Sequence, residues 1–423
     1  MYYDARRCGA DCAPRGGFVT RSRLGVSISV LVGSWILGAT VASARPVNFV
    51  RTEVVSPVPA NPVASGARLL RAVGDIAAPS AANPWLVKVE PGVYDLDGLS
   101  LFMRPYIDVE GSGEGVTIVQ STVNTLGTVN GADHAELRRL TVLNTAPTHA
   151  IALRSLAAGF AASHVTCVAR GGSGSSTGLA NFGDGGSFRD MVVRAEGSPV
   201  ATGVSTDGGL LERVRAFASA ADFAYGVFSA ASAGEITEVT GEAIGAYAVG
   251  FRNEAGGPLL RNVRASGRGT EISEGIVNGA GSRARIQGAV IEVAGGASFA
   301  SGVRNEFSSA SISDAMITVE APTSAFGVTS SFSGTPSLRN VTLRVTAGGH
   351  GVGVRSDQTQ VSVEGSTISA DGFSLENAFG SPTTSISVGA SRLEGAVQPS
   401  DGILRCAASY NQAYAPLGAG CTP

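Results

Sequence analysis

The chain has 423 residues and a formal net charge of −3, with no long basic run. That balance argues against nucleic acid and against an anionic membrane surface as partners. Glycine is abundant at 57 residues and aromatics are only 6 %, which suits a narrow core of small and β-branched side chains better than a broad globular one.

Arg21 and Arg23 precede an apolar run from Leu24 to Val41, and Ala42-Ser43-Ala44 has the A-x-A form. This is the pattern of a signal peptide cleaved after Ala44, and it implies a secreted protein, extracellular or periplasmic. The competing reading is a membrane anchor, since about 18 apolar residues is the lower limit for a span. No other segment is long and apolar enough to cross a membrane. Residues 45–63 are rich in Pro and Val and read as a linker. Residues 66–76 place apolar side chains at helical spacing, which predicts a short amphipathic helix covering the first coil of a repeat domain. The resulting organisation is a leader over 1–44, a linker and capping helix over 45–84, a repeat domain over 85–397 and a C-terminal cap over 398–423.

The segment Trp85-Leu86-Val87-Lys88-Val89-Glu90-Pro91-Gly92-Val93-Tyr94 is a strand and a turn. Ile107-Asp108-Val109-Glu110-Gly111-Ser112-Gly113 and Val116-Thr117-Ile118-Val119 follow as a strand pair. A third segment joins Leu140-Thr141-Val142-Leu143-Asn144-Thr145-Ala146 to His149-Ala150-Ile151-Ala152-Leu153-Arg154. These three segments resemble the opening of pectin methylesterases, over about 70 residues. The resemblance implies a right-handed β-helix. It does not bring the active site with it. The family's oxyanion glutamine falls on His149. Its Gln-Asp pair falls near Ala169-Arg170-Gly171-Gly172-Ser173, which holds no carboxylate. The Asp-Phe-Ile-Phe-Gly and Arg-x-Trp motifs are absent, and both tryptophans, Trp35 and Trp85, lie elsewhere. Ester hydrolysis by that mechanism needs two carboxylates and an oxyanion donor at one carbonyl.

Two repeats run through the rest of the chain. Gly-apolar-x-(Asn/Ser/Thr) recurs from Gly178-Leu179-Ala180-Asn181 to Gly353-Val354-Arg355-Ser356, at intervals of about 25 residues. In phase with it runs a motif of the form apolar-x-turn former-apolar, as in Leu260-Arg261-Asn262-Val263 and Leu338-Arg339-Asn340-Val341, with weaker copies starting at Ala162, Val363 and Val388. The residues after each motif alternate with a period of two, as strands with one buried face do. No unit has helical periodicity. Parallel strands without intervening helices predict an all-β, right-handed parallel β-helix of about 11 coils. At about 4.8 Å per coil that is a rod of roughly 50 Å. Leu179, Val204, Val227, Ile276, Val303, Val328 and Val354 are expected to stack inward. The Asn/Ser/Thr column is expected to hydrogen-bond from coil to coil.

Cys167 lies in an apolar strand and is expected to be a buried free thiol. Export makes a disulfide permissible, and Cys406 and Cys421 enclose a short irregular tail. They are expected to bond and staple the last coil. The four histidines, His134, His149, His164 and His350, have no metal-ligand spacing. There is no G-x-S-x-G elbow and no phosphate loop, so neither a metal nor a cofactor is expected. His149 alone has a family-derived reason to be considered a site residue.

The most specific pattern is charged. Arg252-Asn253-Glu254, Arg304-Asn305-Glu306 and Arg355-Ser356-Asp357 sit at equivalent places in alternate coils. Their carboxylates would lie about 9–10 Å apart, two coil steps, near the upper limit for an inverting glycosidase pair. One reading is a solvated outer face on which alternate coils avoid stacking like charges. The other is a stripe for an acidic polysaccharide, with the arginines gripping carboxylates by forked hydrogen bonds. Three function classes follow: a non-enzymatic secreted β-helix that binds glycans or serves as a rigid rod, a polysaccharide-acting enzyme, and an adhesin. The missing catalytic motifs favour the first, as a monomer.

Overall fold

A short strand cannot bury its apolar edge alone, and a strand that recurs every 25 residues or so buries it against its own copies. The structure is a computed structural model that describes residues 49, 51–183, 185–230, 234–378, 384–398 and 402–422. The leader and its cleavage site after Ala44 lie outside the described residues. The described chain winds as a right-handed parallel β-helix of about 12 turns with one N-terminal α-helix.

Three ribbons of parallel strands wrap the core. The first begins where β1 (Arg51–Val55) pairs with β2 (Trp85–Val89), which pairs in turn with Ile107–Glu110. Its inward column then runs through Leu137, Ala162, Phe188, Leu211, Ile236 and Leu260 to Leu338, Val363 and Val388. The weak copies at Ala162, Val363 and Val388 therefore hold the same place as the strong ones. The third ribbon stacks Leu153, Leu179, Val204, Val227, Phe251, Ile276, Val303, Val328, Val354 and Leu375, all fully buried. This is the inward column expected from the repeat.

The glycine before each of these residues from Leu179 to Val354 has a steric cause. A Cβ at Gly302 would meet Cγ2 of Ile317 at 2.4 Å and the carbonyl oxygen of Gly327 at 2.6 Å. The opposite ribbon and the next coil leave no room for a side chain.

The turn former of the other motif sets the bend between the first and second ribbons. Arg139, His164, Asp190, Arg213, Glu238, Asn262, Gly288, Asp314, Asn340, Gly365, Ala390 and Ala408 all have φ between 48° and 69°. Only the left-handed region gives so sharp a corner, and Asn, Asp and Gly reach it at least cost. Each bend bonds to the next: Asn262 N–H donates to the Gln287 carbonyl at 2.8 Å, and Asn340 Nδ2 donates to Oδ1 of Asp314 at 2.7 Å.

Both ends are closed. Helix α1 (Pro62–Gly74) starts four residues before the predicted 66–76 stretch, because Asn61 accepts from Ala64 N–H at 3.0 Å and Pro62 fits the first turn. Its Leu69 and Val73 are buried over the first coil. Arg104 Nη1 donates to the carbonyls of Gly74 at 2.8 Å and Ile76 at 2.7 Å, satisfying acceptors that a helix end leaves open. The stretch read as a linker contributes β1, since Thr52, Val54 and Val55 suit a strand that can pair with β2. At the other end Cys406 is the register partner of Val388. It thus takes the next place in the apolar column, and it is bonded to Cys421 with Cα atoms 5.0 Å apart. Cys167 is free and buried, and burial pushes its thiol well above the usual range. Among the described residues, no helix is long and apolar enough to cross a membrane.

Candidate functional site

Residues that flank the stacked apolar column of the third ribbon face away from the core, and three outward columns result. One holds His149, Ser175, Val200, Phe223, Tyr247, Ile272 and Phe299, and further along Ser324 and His350. The next holds Tyr225, Val249, Glu274, Ser301, Phe326, Val352 and Phe373. The last holds Arg154 at one end, then Phe228, Arg252, Val277, Arg304, Thr329, Arg355 and Glu376.

Glu274 is the centre of this face, and its side chain is fully covered. Tyr247 donates its hydroxyl to Oε2 of Glu274 at 2.5 Å. Nη2 of Arg304 donates to the same oxygen at 3.0 Å and to the Tyr247 hydroxyl at 2.8 Å, while its Nε lies 2.5 Å from Oε1. Arg304 also reaches Glu306. Burial and the Glu274 charge both push the Tyr247 hydroxyl well above its usual range. Burial works against the Arg304 charge, and Glu274 more than compensates, so the guanidinium stays firmly protonated.

A second group lies further along. His350 Nε2 is 3.2 Å from Oε2 of Glu376, and Arg355 Nη1 is 3.8 Å from the same oxygen. Aromatic rings fill the gaps. Arg252 lies 5.7 Å over the Tyr225 ring and Arg355 lies 5.2 Å over Phe326. Tyr225 packs edge-on to Phe228 and Tyr247, and His350 packs against Phe326 and Phe373.

Of the triplets singled out from the sequence, two form internal pairs. Arg252 Nε donates to Oε1 of Glu254 at 2.5 Å, and Arg304 bonds Glu306. The third does not follow them: Arg355 turns to Glu376 and Phe326. Oδ1 of Asp357 is buried without a hydrogen bond among the described residues, and burial raises its carboxyl. Each arginine is thus engaged inside the protein, and carboxylates outnumber arginines from Arg252 to Glu376. A forked grip on a uronate, one of the two readings of these triplets, would compete with the carboxylates that these arginines already meet. His149 shares the column of Tyr247 but sits four coils away, about 19 Å, where its Nδ1 meets the Ser175 hydroxyl at 3.0 Å. It does not join the cluster.

Sequence reading missed Tyr225, Tyr247, Glu274, Phe326, His350, Phe373 and Glu376. The signal was present. With the repeats aligned on their glycines, Tyr225, Glu274 and Phe326 each precede a glycine by one residue, and Phe223, Tyr247, Phe299 and His350 precede one by three. Among the described residues, no group of three or more His, Cys, Asp or Glu is placed to hold a metal ion.

No protein-family model matches the chain, and no curated protein matches it. Solved structures to which it is similar include the A-module of a mannuronan C-5 epimerase of Azotobacter vinelandii, at 14 % identity over 84 % of this chain and 96 % of that one, with a TM-score of 0.45. The catalytic unit of a GH87 α-1,3-glucanase of Streptomyces thermodiastaticus is similar at 13 % identity over 83 % and 67 %, with a TM-score of 0.41. A surface adhesin of Streptococcus pneumoniae is similar at 7 % identity over 82 % and 87 %, with a TM-score of 0.37. At such distances nothing of their chemistry transfers to this chain.

Proposed function

We propose that this protein binds a neutral polysaccharide laid along the outer face of the third ribbon. The observation that carries the reading is the interleaving of aromatic rings with arginine-fixed carboxylates from Phe223 to Glu376. Rings of this kind support the C–H faces of sugars. The carboxylates that reach solvent, those of Glu254, Glu306 and Glu376, accept hydrogen bonds from sugar hydroxyls, and ion pairs to Arg252, Arg304 and Arg355 hold them in place beforehand, which lowers the ordering cost of binding. An open face that repeats at every coil suits a polymer better than a small molecule. The excess of carboxylates disfavours a polyuronate. The leader expected from the sequence would deliver this surface to the cell exterior or the periplasm.

The test is affinity electrophoresis in gels containing a neutral glucan, a xylan or polygalacturonate. Retardation by a neutral polymer, abolished by Tyr225→Ala with Phe326→Ala, is the expected result. Retardation by polygalacturonate alone, or by none, overturns it.

A second reading is turnover of the bound chain. It rests on Glu254 and Glu306, two coil steps or about 9–10 Å apart, a spacing at the upper end for an inverting pair. The pectin methylesterase likeness of residues 85–154 points in the same broad direction, while His149 and the stretch 169–173 depart from that family's machinery. Reducing-end or methanol release that disappears in Glu306→Gln would establish it.

A further inference from the structure

A broad cleft lies away from this face, at the N-terminal cap. It has a volume of about 670 Å³ and lies between β1, α1 and Trp85. Three arginines line it: Arg51 from the strand, and Arg68 and Arg71 from one face of the helix, three residues apart. None has an ion-pair partner among the described residues, although Glu53 and Asp75 line the same cleft. Arg68 reaches only the Ser56 carbonyl, at 3.5 Å, and Arg71 only the Ala67 carbonyl, at 3.3 Å. Most of their N–H donors therefore have no acceptor among the described residues. Arg51 lies 5.4 Å over the Trp85 ring, which forms an apolar wall and fixes where that charge sits.

This is the reverse of the polysaccharide face, where Arg252, Arg304 and Arg355 are each matched by a carboxylate. We propose that the N-terminal cleft is a second binding site, for a multivalent oxyanion carrying carboxylate, sulfate or phosphate groups. Three guanidinium groups on two different elements present forked donors that fit such groups. Glu53 and Asp75 repel an anion and would confine it to the arginine side. A monovalent anion would be held poorly, because one charge cannot answer three.

The full-length chain is titrated with citrate, inorganic sulfate and pyrophosphate, and the indole Nε1–H resonance of Trp85, identified by Trp85→Phe, reports occupancy. Expected is a saturable shift with at least one of the three. Removing two forked contacts in Arg68→Ala with Arg71→Ala should weaken it by at least about tenfold. Arg283→Ala with Arg285→Ala, which removes the same charge from exposed positions on a distant coil, should leave it unchanged. A response to citrate alone assigns carboxylate ligands, and one to sulfate or pyrophosphate assigns the corresponding esters. No saturable shift with any probe overturns the proposal. So does equal weakening by both double changes, which would mark mere net charge. Unaltered thermal unfolding of the variants keeps the readout separate from folding.

Discussion

The Tyr247 hydroxyl and the Glu274 carboxylate, register neighbours offset by one column on adjacent coils, meet at 2.5 Å on the outer face of the third ribbon. Arg304, one coil further, closes over both. A carboxylate with no solvent exposure is tolerated only when its charge is matched, and Arg304 matches it here, with both hydrogen bonds falling on Oε2. The triad is therefore a single electrostatic unit spanning three coils.

Arg304→Met should accordingly be costly, about 3–5 kcal/mol, because it strands the Glu274 charge. Arg304→Met combined with Glu274→Gln should be less destabilised than Arg304→Met alone. Urea denaturation of both variants checks this. A double variant at least as unstable as the single one would show that Glu274 is not held by its charge partner.

The buried polar column offers a second test. Asn253 Nδ2 donates to Oδ1 of Asn278 at 2.9 Å, and Asn278 Nδ2 donates to Oδ1 of Asn305 at 2.8 Å. Asn278→Ala orphans one donor and one acceptor in a dry place, each worth about 1–3 kcal/mol. A loss of about 2–4 kcal/mol in unfolding free energy is expected. Asn305→Ser should cost less, since Asn305 already hands on to a serine hydroxyl, that of Ser330 at 3.3 Å.

At the left-handed corner, Ala390 has φ 48° and Ala408 has φ 50°. Both carry a Cβ where glycine would relieve about 1 kcal/mol of strain, part of it returned as unfolded-state entropy. Ala390→Gly should leave stability unchanged or raise it by up to about 1 kcal/mol, whereas Gly365→Ala should lower it by a similar amount. In thermal melts Gly365→Ala should fall below the wild type and Ala390→Gly should not.

Reduction should act locally. The Cys406–Cys421 bond closes a loop of sequence separation 15, worth about 3 kcal/mol in the chain-entropy model. Cys421→Ser should expose the last coil first. Hydrogen exchange is expected to quicken over residues 403–411 well before residues 299–357 respond.

The pH dependence has a defined source near the other end. Burial raises Asp108 from 3.8 to about 6, against the help of the Glu136 N–H and Arg138. A carboxyl whose folded pKa is raised favours the folded state most when protonated. Its contribution is fully present below about pH 4 and is lost as the pH rises through about 6. Glu110 in the same cluster moves the other way: burial opposes it, but Arg138 holds it below its usual range. The informative quantity is therefore the difference between wild type and Asp108→Asn. That variant should gain in relative stability between about pH 4 and pH 6, and then level off. A flat difference over that window would refute the raised value.

How much of this was legible in the sequence follows from what repeats. The inward column was visible because every coil has to fill the same narrow core, so Val204, Val303 and Val354 carry like residues. The disulfide was visible because Cys406 and Cys421 enclose a short tail in a chain expected to be exported. The outward face was legible only in part. Nothing forces its residues to match from coil to coil, so Tyr225, Glu274 and Phe326 share a column without sharing a chemistry. Arg252–Glu254 and Arg304–Glu306 could be paired from local spacing. Glu274 with Arg304, and Glu376 with Arg355, are joined across coils, and a window of a few residues cannot show that. β1 was hidden by its flanking prolines, which do not prevent Arg51–Val55 from pairing along one edge.

The left-handed corner has a consequence for how such a protein can change length. Every coil must reach that corner in the same register, so a small insertion in a strand would throw all later side chains onto the wrong face. Insertions are tolerated in the turns, or as one entire winding. Duplicating a winding between Asp314 and Asn340, two consecutive corners, would leave the interior continuous and the Tyr247–Glu274–Arg304 unit intact while moving Arg355 and Glu376 one notch further from Arg304 along the rod. The outer face therefore behaves as a ruler whose graduations move only in whole steps. Ligand spacing could be retuned by copying windings without redesigning the core.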